Sequence, residues 1–287
     1  MSVSTNPLLN RIVIQLGKIG NGKIQNCLIR MLYFYYRNFP PANVVEAKKY
    51  YAQHADEIEQ VVHLLADEKS KGIYRKMIAF RGSYDMRIHP ESSTDDMYFV
   101  DGIIRLTNEE CFVDCGAFIG DSIARFLECV GTGNYRAIVA FEPDQANYQQ
   151  LVQRNYDKIY PHNAGVWSEN TTLKFQESGN ASSRISDTGR SDLVEVKVEN
   201  LDSVPECMAA TYIKMDIEGS EIQALEGAKE IIGRNKPKLA ISIYHKDEDM
   251  IKIPLMLHRM NPAYKMYVRQ HSHSYFDTVL YCIPADE

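Results

Sequence analysis

The chain has 287 residues, of which 45% are hydrophobic and 24% are charged, and its formal net charge is -6. These values are ordinary for a globular protein, and they exclude a chain that is disordered over most of its length. The negative balance argues against a protein that binds nucleic acid through its charge, because such proteins are usually basic.

The cysteines and the apolar runs indicate the compartment. The six cysteines are scattered without a C-x-x-C pair, which is typical of reduced thiols in the cytosol. The N-terminal sequence has no long apolar segment, and no run approaches the roughly 20 apolar residues of a membrane span. We therefore expect a cytoplasmic protein without a membrane span.

Residues 1–90 are predicted to form a helical region. In NVVEAKKYYAQHADEIEQVVHLLADEKS, apolar side chains recur every three or four residues with polar ones between them, which is the pattern of amphipathic helices. Upstream of this segment, an aromatic stretch ends in the paired prolines of MLYFYYRNFPP, which stop a helix.

Residues 91–287 are predicted to form a second domain, in which short apolar strands alternate with helices. The predicted strands are CFVDC, AIVAFE, HNAGVW, TYIKMD, KLAISIY, KMYVRQ and TVLYCI. The predicted helices are DSIARFLECV, DQANYQQLVQRNY, SEIQALEGAKEII and EDMIKIPLMLHRM. This alternation indicates an α/β fold with a mostly parallel sheet that is covered on both faces.

Two departures from the alternation are expected. The last two strands are separated only by HSHSYFD, so they must pair as an antiparallel hairpin. Residues 168–209 are irregular, and their TTLKF and VEVKVENLDSV segments are predicted to form an extra hairpin or a lip over a pocket. The segment SGNASSRISDTGRSD between them has the composition of a Ser/Gly-rich loop.

The first strand is followed by a glycine turn at its carboxyl end. Gly116 and Gly120 permit a tight turn, and the N–H groups at the start of the next helix can face an anionic ligand group. The spacing does not match the G-x-G-x-x-G pattern of dinucleotide-binding proteins. Glu142 ends the second strand, 22 residues after Gly120, and Pro143 follows it. An acid at this position is suited to bind two ribose hydroxyls; the alternative is an exposed strand-end carboxylate.

Four blocks of this half resemble successive blocks of the FkbM family of S-adenosylmethionine-dependent methyltransferases. They are FVDCGAFIGDS, AFEPDQANYQQL, YIKMDIEGSEIQALEGA and DTVLYCIP, and the likeness runs in order from about residue 96 to the end. The resemblance implies S-adenosyl-L-methionine as cofactor. It also implies the class I methyltransferase fold, a Rossmann-like sheet of seven strands whose last strand is inserted antiparallel.

The resemblance also assigns residues to the cofactor. Asp114 would end the first strand and order the loop, and the two glycines would let the backbone approach the methionine part. Asp121 and Ser122 would engage its amino and carboxylate groups or cap the helix. Asn163 ends the third predicted strand, near the adenine in this fold. The full set of predicted cofactor-binding residues is Asp114, Gly116, Ala117, Gly120, Asp121, Ser122, Glu142, Pro143, Asn163 and Asp216.

The segment KMDIEGSE supplies charged side chains at the end of the fourth strand, beside the expected position of the sulfonium. Lys214, Asp216 and Glu218 alternate along the chain, so they can converge on one side. Three roles are open: contact to the methionine amino group, general base, or oxygen ligands for Mg²⁺. The alternative is a solvated acidic turn that caps the next helix, and it fits Glu221 best and Asp216 least.

His245 follows the fifth strand at the same edge of the sheet. It is a candidate base or substrate contact, because an imidazole titrates near neutral pH; the alternative is a structural histidine. The predicted catalytic residues are therefore Asp216, His245, Lys214 and Glu218. No third protein oxygen ligand for a metal is identifiable in the sequence, and we expect metal-free catalysis in which His245 or Asp216 takes the proton.

The expected activity is O-methylation of a hydroxyl on a sugar or natural product. The expected partner is thus a small-molecule or saccharide acceptor, with no nucleic acid. Two alternatives are a nicotinamide-dependent oxidoreductase, which the glycine spacing disfavours, and a non-catalytic cofactor-binding scaffold. The apolar stretches of the N-terminal region need a surface to bury, so we expect this region to cover the acceptor pocket or to form a homodimer.

Overall fold

A computed structural model describes residues 39–131, 133–176, 184–185 and 193–285. The described part of the N-terminal region forms three helices, α1 (Ala42–Gln53), α2 (Ala55–Leu64) and α3 (Glu68–Arg81). The Asp67 carboxylate accepts the N–H of Ser70 and so caps the start of α3. The helical character predicted for this region is therefore confirmed over residues 42–81. Most of the aromatic stretch before residue 39, and most of the predicted Ser/Gly-rich loop, lie outside the described residues.

The rest of the described chain alternates strands and helices. Its strands are, in chain order, β1 (Cys111–Cys115), β2 (Ala137–Phe141), β3 (Ile159–His162), β4 (Gly165–Val166), β5 (Thr171–Gln176), β6 (Arg184–Ile185), β7 (Leu193–Glu199), β8 (Tyr212–Met215), β9 (Lys238–Ser242), β10 (Lys265–Gln270) and β11 (Thr278–Ile283). Its α-helices are α4 (Asp121–Val130), α5 (Gln145–Gln153), α6 (Glu221–Glu226), α7 (Lys229–Asn235) and α8 (Asp249–Met260).

The main sheet of the described chain has seven strands in the order β3-β2-β1-β8-β9-β11-β10. Neighbours from β3 to β9 run parallel, whereas β11 is antiparallel to both β9 and β10. The predicted mostly parallel sheet with an antiparallel terminal hairpin is therefore confirmed. Because parallel strands share one direction, the ends of β1, β2, β8 and β9 meet at the same edge.

The third strand differs from the prediction. The segment HNAGVW was expected to form it, but the strand that pairs with β2 is Ile159–His162, and Gly165–Val166 pairs with β7 in a second sheet. Pro161 in β3 made this segment a poor strand candidate. A proline is tolerated there because β3 is an edge strand, where one side needs no ladder hydrogen bond.

The irregular section contains the expected hairpin. Strands β5 and β7 pair antiparallel, and with β4 and β6 they form a sheet in the order β4-β7-β5-β6. The helix predicted over residues 220–232 is divided into α6 and α7 at Gly227. A Cβ at Gly227 would lie 2.1 Å from the carbonyl oxygen of Trp167, so glycine allows the close approach of these two backbones.

The main sheet lies between two hydrophobic cores. Strands β1, β8, β9 and β11 are buried throughout, which explains their continuous apolar sequences. Successive side chains of a strand point to opposite faces; Val113 contacts the core that includes α1–α3, and Phe112 contacts the core that includes α4. None of the helices that the structure describes is long and apolar enough to cross a membrane.

The described N-terminal helices cover the edge strand β10. The N–H of Ala66 donates to the carbonyl of Met266 at 2.8 Å, and the N–H of Val268 donates to Oγ of Ser70 at 2.9 Å. These contacts satisfy backbone groups that an open sheet edge would expose. Since the buried apolar residues of α1–α3 belong to the same core as the sheet, the surface they cover lies within the chain itself. The division at residue 90 and the homodimer remain predictions.

Candidate active site

The conformation of the loop after β1 requires glycine at position 116. Gly116 has a φ of +80°, and a Cβ at this residue would lie 2.1 Å from the carbonyl oxygen of Asp216. Any other residue would therefore clash with the backbone that follows β8. The N–H groups of Gly116 and Ala117 both donate to the carbonyl of Phe141 at 3.0 Å. The loop is thus tied to β2 on one side and lies against the end of β8 on the other.

Asp114 and Lys214 form a buried ion pair beneath this loop. Nζ of Lys214 lies 2.9 Å from Oδ1 of Asp114 and donates to the carbonyl of Gly116 at 2.7 Å. Ser122 donates to the other oxygen of Asp114. Burial lowers the pKa of the Lys214 ammonium, but the carboxylates of Asp114 and Asp216 outweigh this and raise it. Asp114 therefore orders the loop as predicted, through Ser122 as well as Lys214.

Lys214 does not lie where the sequence suggested. Its side chain is 4% exposed and faces Asp114, whereas Asp216 and Glu218 lie near His245. The alternation argument fails here because β8 ends at Met215 and Glu218 has a φ of +58°. This placement favours a supporting role for Lys214 over the catalytic role that was predicted.

Glu142 binds the backbone of two loops. Its Oε2 accepts the N–H of Phe118 at 2.8 Å, and its Oε1 accepts the N–H of Asp144 at 2.9 Å. The residue is only 5% exposed, so it is not the exposed strand-end carboxylate of the alternative interpretation. Burial raises its pKa to about 7, although the N–H groups of Asp144 and Phe118 oppose this shift.

Three further predicted cofactor residues lie around this edge. Nδ2 of Asn163 donates to the carbonyl groups of Glu142 at 2.9 Å and Pro143 at 3.3 Å, so Asn163 fixes the turn after β2. Asp121 is the exposed first residue of α4. The N-cap position is occupied by Gly120, without a side-chain hydrogen bond; the proposed capping role of Asp121 is therefore not seen.

Two tyrosines from distant parts of the chain donate hydrogen bonds to Asp216. The hydroxyl of Tyr98 donates to Oδ2 at 2.7 Å, and the hydroxyl of Tyr244 donates to Oδ1 at 3.1 Å. The Asp216 side chain remains 23% exposed. Burial raises the pKa of Asp216, but the charges of His245 and Lys214, with the tyrosine hydroxyls, outweigh it and hold the pKa below its ordinary value.

His245 lies among three carboxylates. Its Nδ1 is 3.0 Å from Oε1 of Glu221, and its Nε2 is 3.4 Å from Oδ1 of Asp216 and 3.7 Å from Oε2 of Glu218. The interpretation of Glu221 as a solvated helix cap is wrong, since this residue is fully buried and accepts the N–H of Ile217. The position of Glu221 in the first turn of α6 suggested that its side chain would be exposed to solvent. In the structure, the segment after β9 that carries His245 covers this side chain.

The protonation state of His245 determines whether it can act as the predicted general base. Burial lowers its pKa, but the Glu221, Asp216 and Glu218 carboxylates outweigh it and raise the pKa to about 9. At neutral pH the imidazole therefore holds a proton and has no free nitrogen to accept another. Asp216, with its lowered pKa, is a weak base. This electrostatic arrangement argues against direct proton removal by either residue.

Comparison with protein families identifies the family of the chain. The sequence model of the methyltransferase FkbM domain matches residues 114–274, more than half of the chain and the part that carries Glu142, Asp216 and His245. The chain belongs to the FkbM methyltransferase family. The resemblance seen in the sequence blocks is thereby confirmed. No curated protein matches the chain.

One solved structure agrees with the family. The methyltransferase FkbM from Methylobacillus flagellatus KT is 29% identical with a TM-score of 0.70, and the match covers 81% of this chain and 60% of that one. The present chain thus spans less than two thirds of that protein.

More distant matches include an rRNA methylase from Streptococcus thermophilus (17% identity, TM-score 0.38, 62% of this chain and 87% of that chain). Another is Aeropyrum pernix fibrillarin in complex with natively bound S-adenosyl-L-methionine (11% identity, TM-score 0.37, 63% and 70%).

Two parts of this FkbM-family site were missed by the sequence analysis. Tyr98 is in an irregular segment 118 residues before the aspartate that it contacts, and no local pattern indicates that contact. Tyr244 directly precedes His245, so its position at a strand end was a usable signal. Arg81, at the end of α3, donates to the carbonyl of Tyr244 at 2.9 Å and so fixes the backbone beside the site.

Proposed function

We propose that this protein transfers a methyl group from S-adenosylmethionine to a hydroxyl oxygen of a small molecule or saccharide. The observation that carries the proposal is Glu142, a buried carboxylate at the end of β2 that is tied to the glycine loop through the N–H of Phe118. A carboxylate has about four acceptor sites, so Glu142 has capacity for a ribose hydroxyl beyond its two backbone donors and the side chain of Asn147.

The residues around this carboxylate fit a nucleoside with a charged tail. The loop from Gly116 to Gly120 leads into the start of α4, and Asp121 is exposed there, suited to a cationic amino group. Asn163 holds the turn after β2, which would place it near the base. Bound S-adenosylmethionine supplies an electrophilic methyl group on a sulfonium. The family membership supports this cofactor over a nicotinamide.

The acceptor would lie at the neighbouring strand ends. Asp216 is partly exposed, and its oxygens are positioned by the hydroxyls of Tyr98 and Tyr244. Burial raises the pKa of both tyrosines, so they stay protonated and continue to donate. Asp216 can therefore accept a hydrogen bond from an acceptor hydroxyl and orient its oxygen, which is the main requirement of an in-line displacement.

Binding and turnover test the proposal separately. Calorimetry of the full chain should show saturable binding of S-adenosylhomocysteine and none of NAD⁺. A methyl-transfer assay with labelled S-adenosylmethionine, on cell-surface carbohydrate and a panel of hydroxylated metabolites, should then label an acceptor. Failure to bind S-adenosylhomocysteine would remove the proposal. Binding without transfer to any acceptor would favour the non-catalytic scaffold.

A further inference from the structure

The buried imidazole of His245 lies close to carboxylates without a well-aligned hydrogen bond. Its side chain is 3% exposed, and neither Nδ1 nor Nε2 has a hydrogen-bond partner among the described residues. The same is true of Oε2 of Glu221, which is also buried. Nδ1 comes within 3.0 Å of Oε1 of Glu221, but not in hydrogen-bond geometry. Buried polar atoms of this kind are rare, because each unmade hydrogen bond costs roughly 1–3 kcal/mol.

The separations match ligands of one cation. Two donor atoms that each lie about 2.1 Å from a metal, at right angles, are about 3 Å apart. Each ring nitrogen of His245 has one carboxylate oxygen near this distance, with Oε1 of Glu221 3.0 Å from Nδ1 and Oδ1 of Asp216 3.4 Å from Nε2. Only one of the two nitrogens can bind a given cation. One donor atom from each of Asp216, Glu221 and His245 can be chosen so that all lie within 4.8 Å of one another. Two ligands of one cation lie at most about 4.2 Å apart, so the three atoms would draw together when the cation binds.

We propose that Asp216, Glu221 and His245 bind a divalent cation, with Mn²⁺ as the best match. Two carboxylates and one imidazole, which would release its proton when the cation binds, are a mixed oxygen and nitrogen donor set that suits Mn²⁺ and related ions better than a thiolate-preferring metal. The hydroxyls of Tyr98 and Tyr244 orient the Asp216 ligand from outside the metal sphere, as the neighbours of metal ligands commonly do. This assignment reverses the sequence-based expectation of metal-free catalysis.

The role of the cation rests on the proposed methyl transfer, although its binding does not. Asp216 is the exposed member of the set, so an acceptor hydroxyl could reach the cation there. Coordination lowers the pKa of such a hydroxyl. As the O–H bond breaks, the proton passes to water and the electron pair stays on the oxygen. A nucleophile would then form without a free base on the protein.

The test measures metal binding alone. The full chain is treated with EDTA, dialysed and titrated with Mn²⁺ in the absence of S-adenosylmethionine, and free Mn²⁺ is followed by electron paramagnetic resonance. We expect one saturable site per chain. Asp216→Asn, Glu221→Gln and His245→Ala should each weaken binding at least about tenfold. The exposed residues Glu46 and His63 provide matched controls, since Glu46→Gln and His63→Ala should bind as the wild type does.

Each outcome decides the proposal. Absence of a saturable site up to roughly 1 mM Mn²⁺, the weak end of protein sites for divalent ions, would overturn it, as would equal weakening in the control variants. Circular dichroism shows which variants fold. The partly exposed Asp216→Asn keeps the test valid if a buried variant does not fold, and unchanged binding in it would also overturn the site. If the chain binds S-adenosylhomocysteine but no Mn²⁺, only the metal proposal is overturned. If it binds Mn²⁺ but no S-adenosylhomocysteine, only the proposed function is overturned.

Discussion

Removal of the Glu142 carboxylate should weaken binding of S-adenosylhomocysteine. In Glu142→Ala the N–H of Phe118 and the N–H of Asp144 lose their acceptor, and the ribose loses an anionic one. A hydrogen bond to a charged group contributes roughly 1.5–3 kcal/mol, so we expect the dissociation constant to rise roughly 10- to 150-fold. Calorimetry measures it directly, and circular dichroism checks the fold. An unchanged dissociation constant in a folded variant would refute the ribose assignment.

The pH dependence of the same binding tests the electrostatics. Burial raises the pKa of Glu142 from 4.5 to about 7, so the carboxyl is mostly charged at pH 8 and mostly neutral at pH 6. If ribose requires the charged form, the affinity should fall about tenfold between pH 8 and pH 6. In Glu142→Gln this part of the pH dependence should vanish. If the steep pH dependence of binding persists in Glu142→Gln, it arises from another group.

The unliganded protein should respond to pH in the opposite sense. Since the folded-state pKa of Glu142 is raised, its neutral form is favoured by folding. The associated stability is fully present below pH 4.5 and is lost as the pH rises through about 7. Urea unfolding at pH 5 and pH 8 measures this difference, which Glu142→Gln should reduce. Saturating S-adenosylhomocysteine should also reduce it, because the ligand selects the charged form.

Three further predictions concern the support of the site. Gly116→Ala should destabilise the protein by at least about 2 kcal/mol, because alanine would be strained in the left-handed backbone and would clash with the backbone of Asp216. As a control, Gly72→Ala in α3, where nothing lies within 4 Å of the added Cβ, should be neutral or stabilising. Thermal unfolding measures both. Arg81→Met breaks buried hydrogen bonds and should cost roughly 2–3 kcal/mol in urea unfolding; Arg75→Met, at an exposed ion pair, should change stability by less than about 1 kcal/mol. A chain without residues 1–90 should not fold when expressed, because it loses the buried apolar residues that α1–α3 contribute to the core of the sheet, and folded domains are stable by only about 5–15 kcal/mol. A folded product in circular dichroism would contradict this.

The parts of the site that the sequence predicted share one property. Glu142 and Asp216 directly follow β2 and β8, and His245 lies three residues after the end of β9. In a parallel sheet the carboxyl ends of such strands meet at one edge. Local sequence therefore sufficed to bring them together. The same logic failed for Lys214, since alternation along a strand does not continue past its end.

What the sequence missed depends on long-range packing. Tyr98 reaches Asp216 from an irregular segment with a left-handed backbone, and neither periodicity nor turn chemistry specifies that contact. Glu221 was taken for a solvated cap because acids are common in the first turn of a helix; its burial follows from the position of His245, which belongs to a different strand end.

The two halves of the site are supported by different parts of the chain. The residues proposed to bind the cofactor lie on the loops after β1 and β2, within residues 114–274 that match the family. The residues proposed to bind the acceptor follow β8 and β9. Side chains of α1 and α3, which lie outside residues 114–274, hold the backbone there. Arg81 donates to Asp247 at 2.9 Å as well as to the Tyr244 carbonyl, and the hydroxyl of Tyr51 donates to the same Asp247 oxygen at 2.9 Å. These contacts lie on both sides of His245. Helices α1 and α3 thus hold the backbone beside the proposed acceptor site, so we expect changes at Tyr51 or Arg81 to alter acceptor recognition more than cofactor affinity.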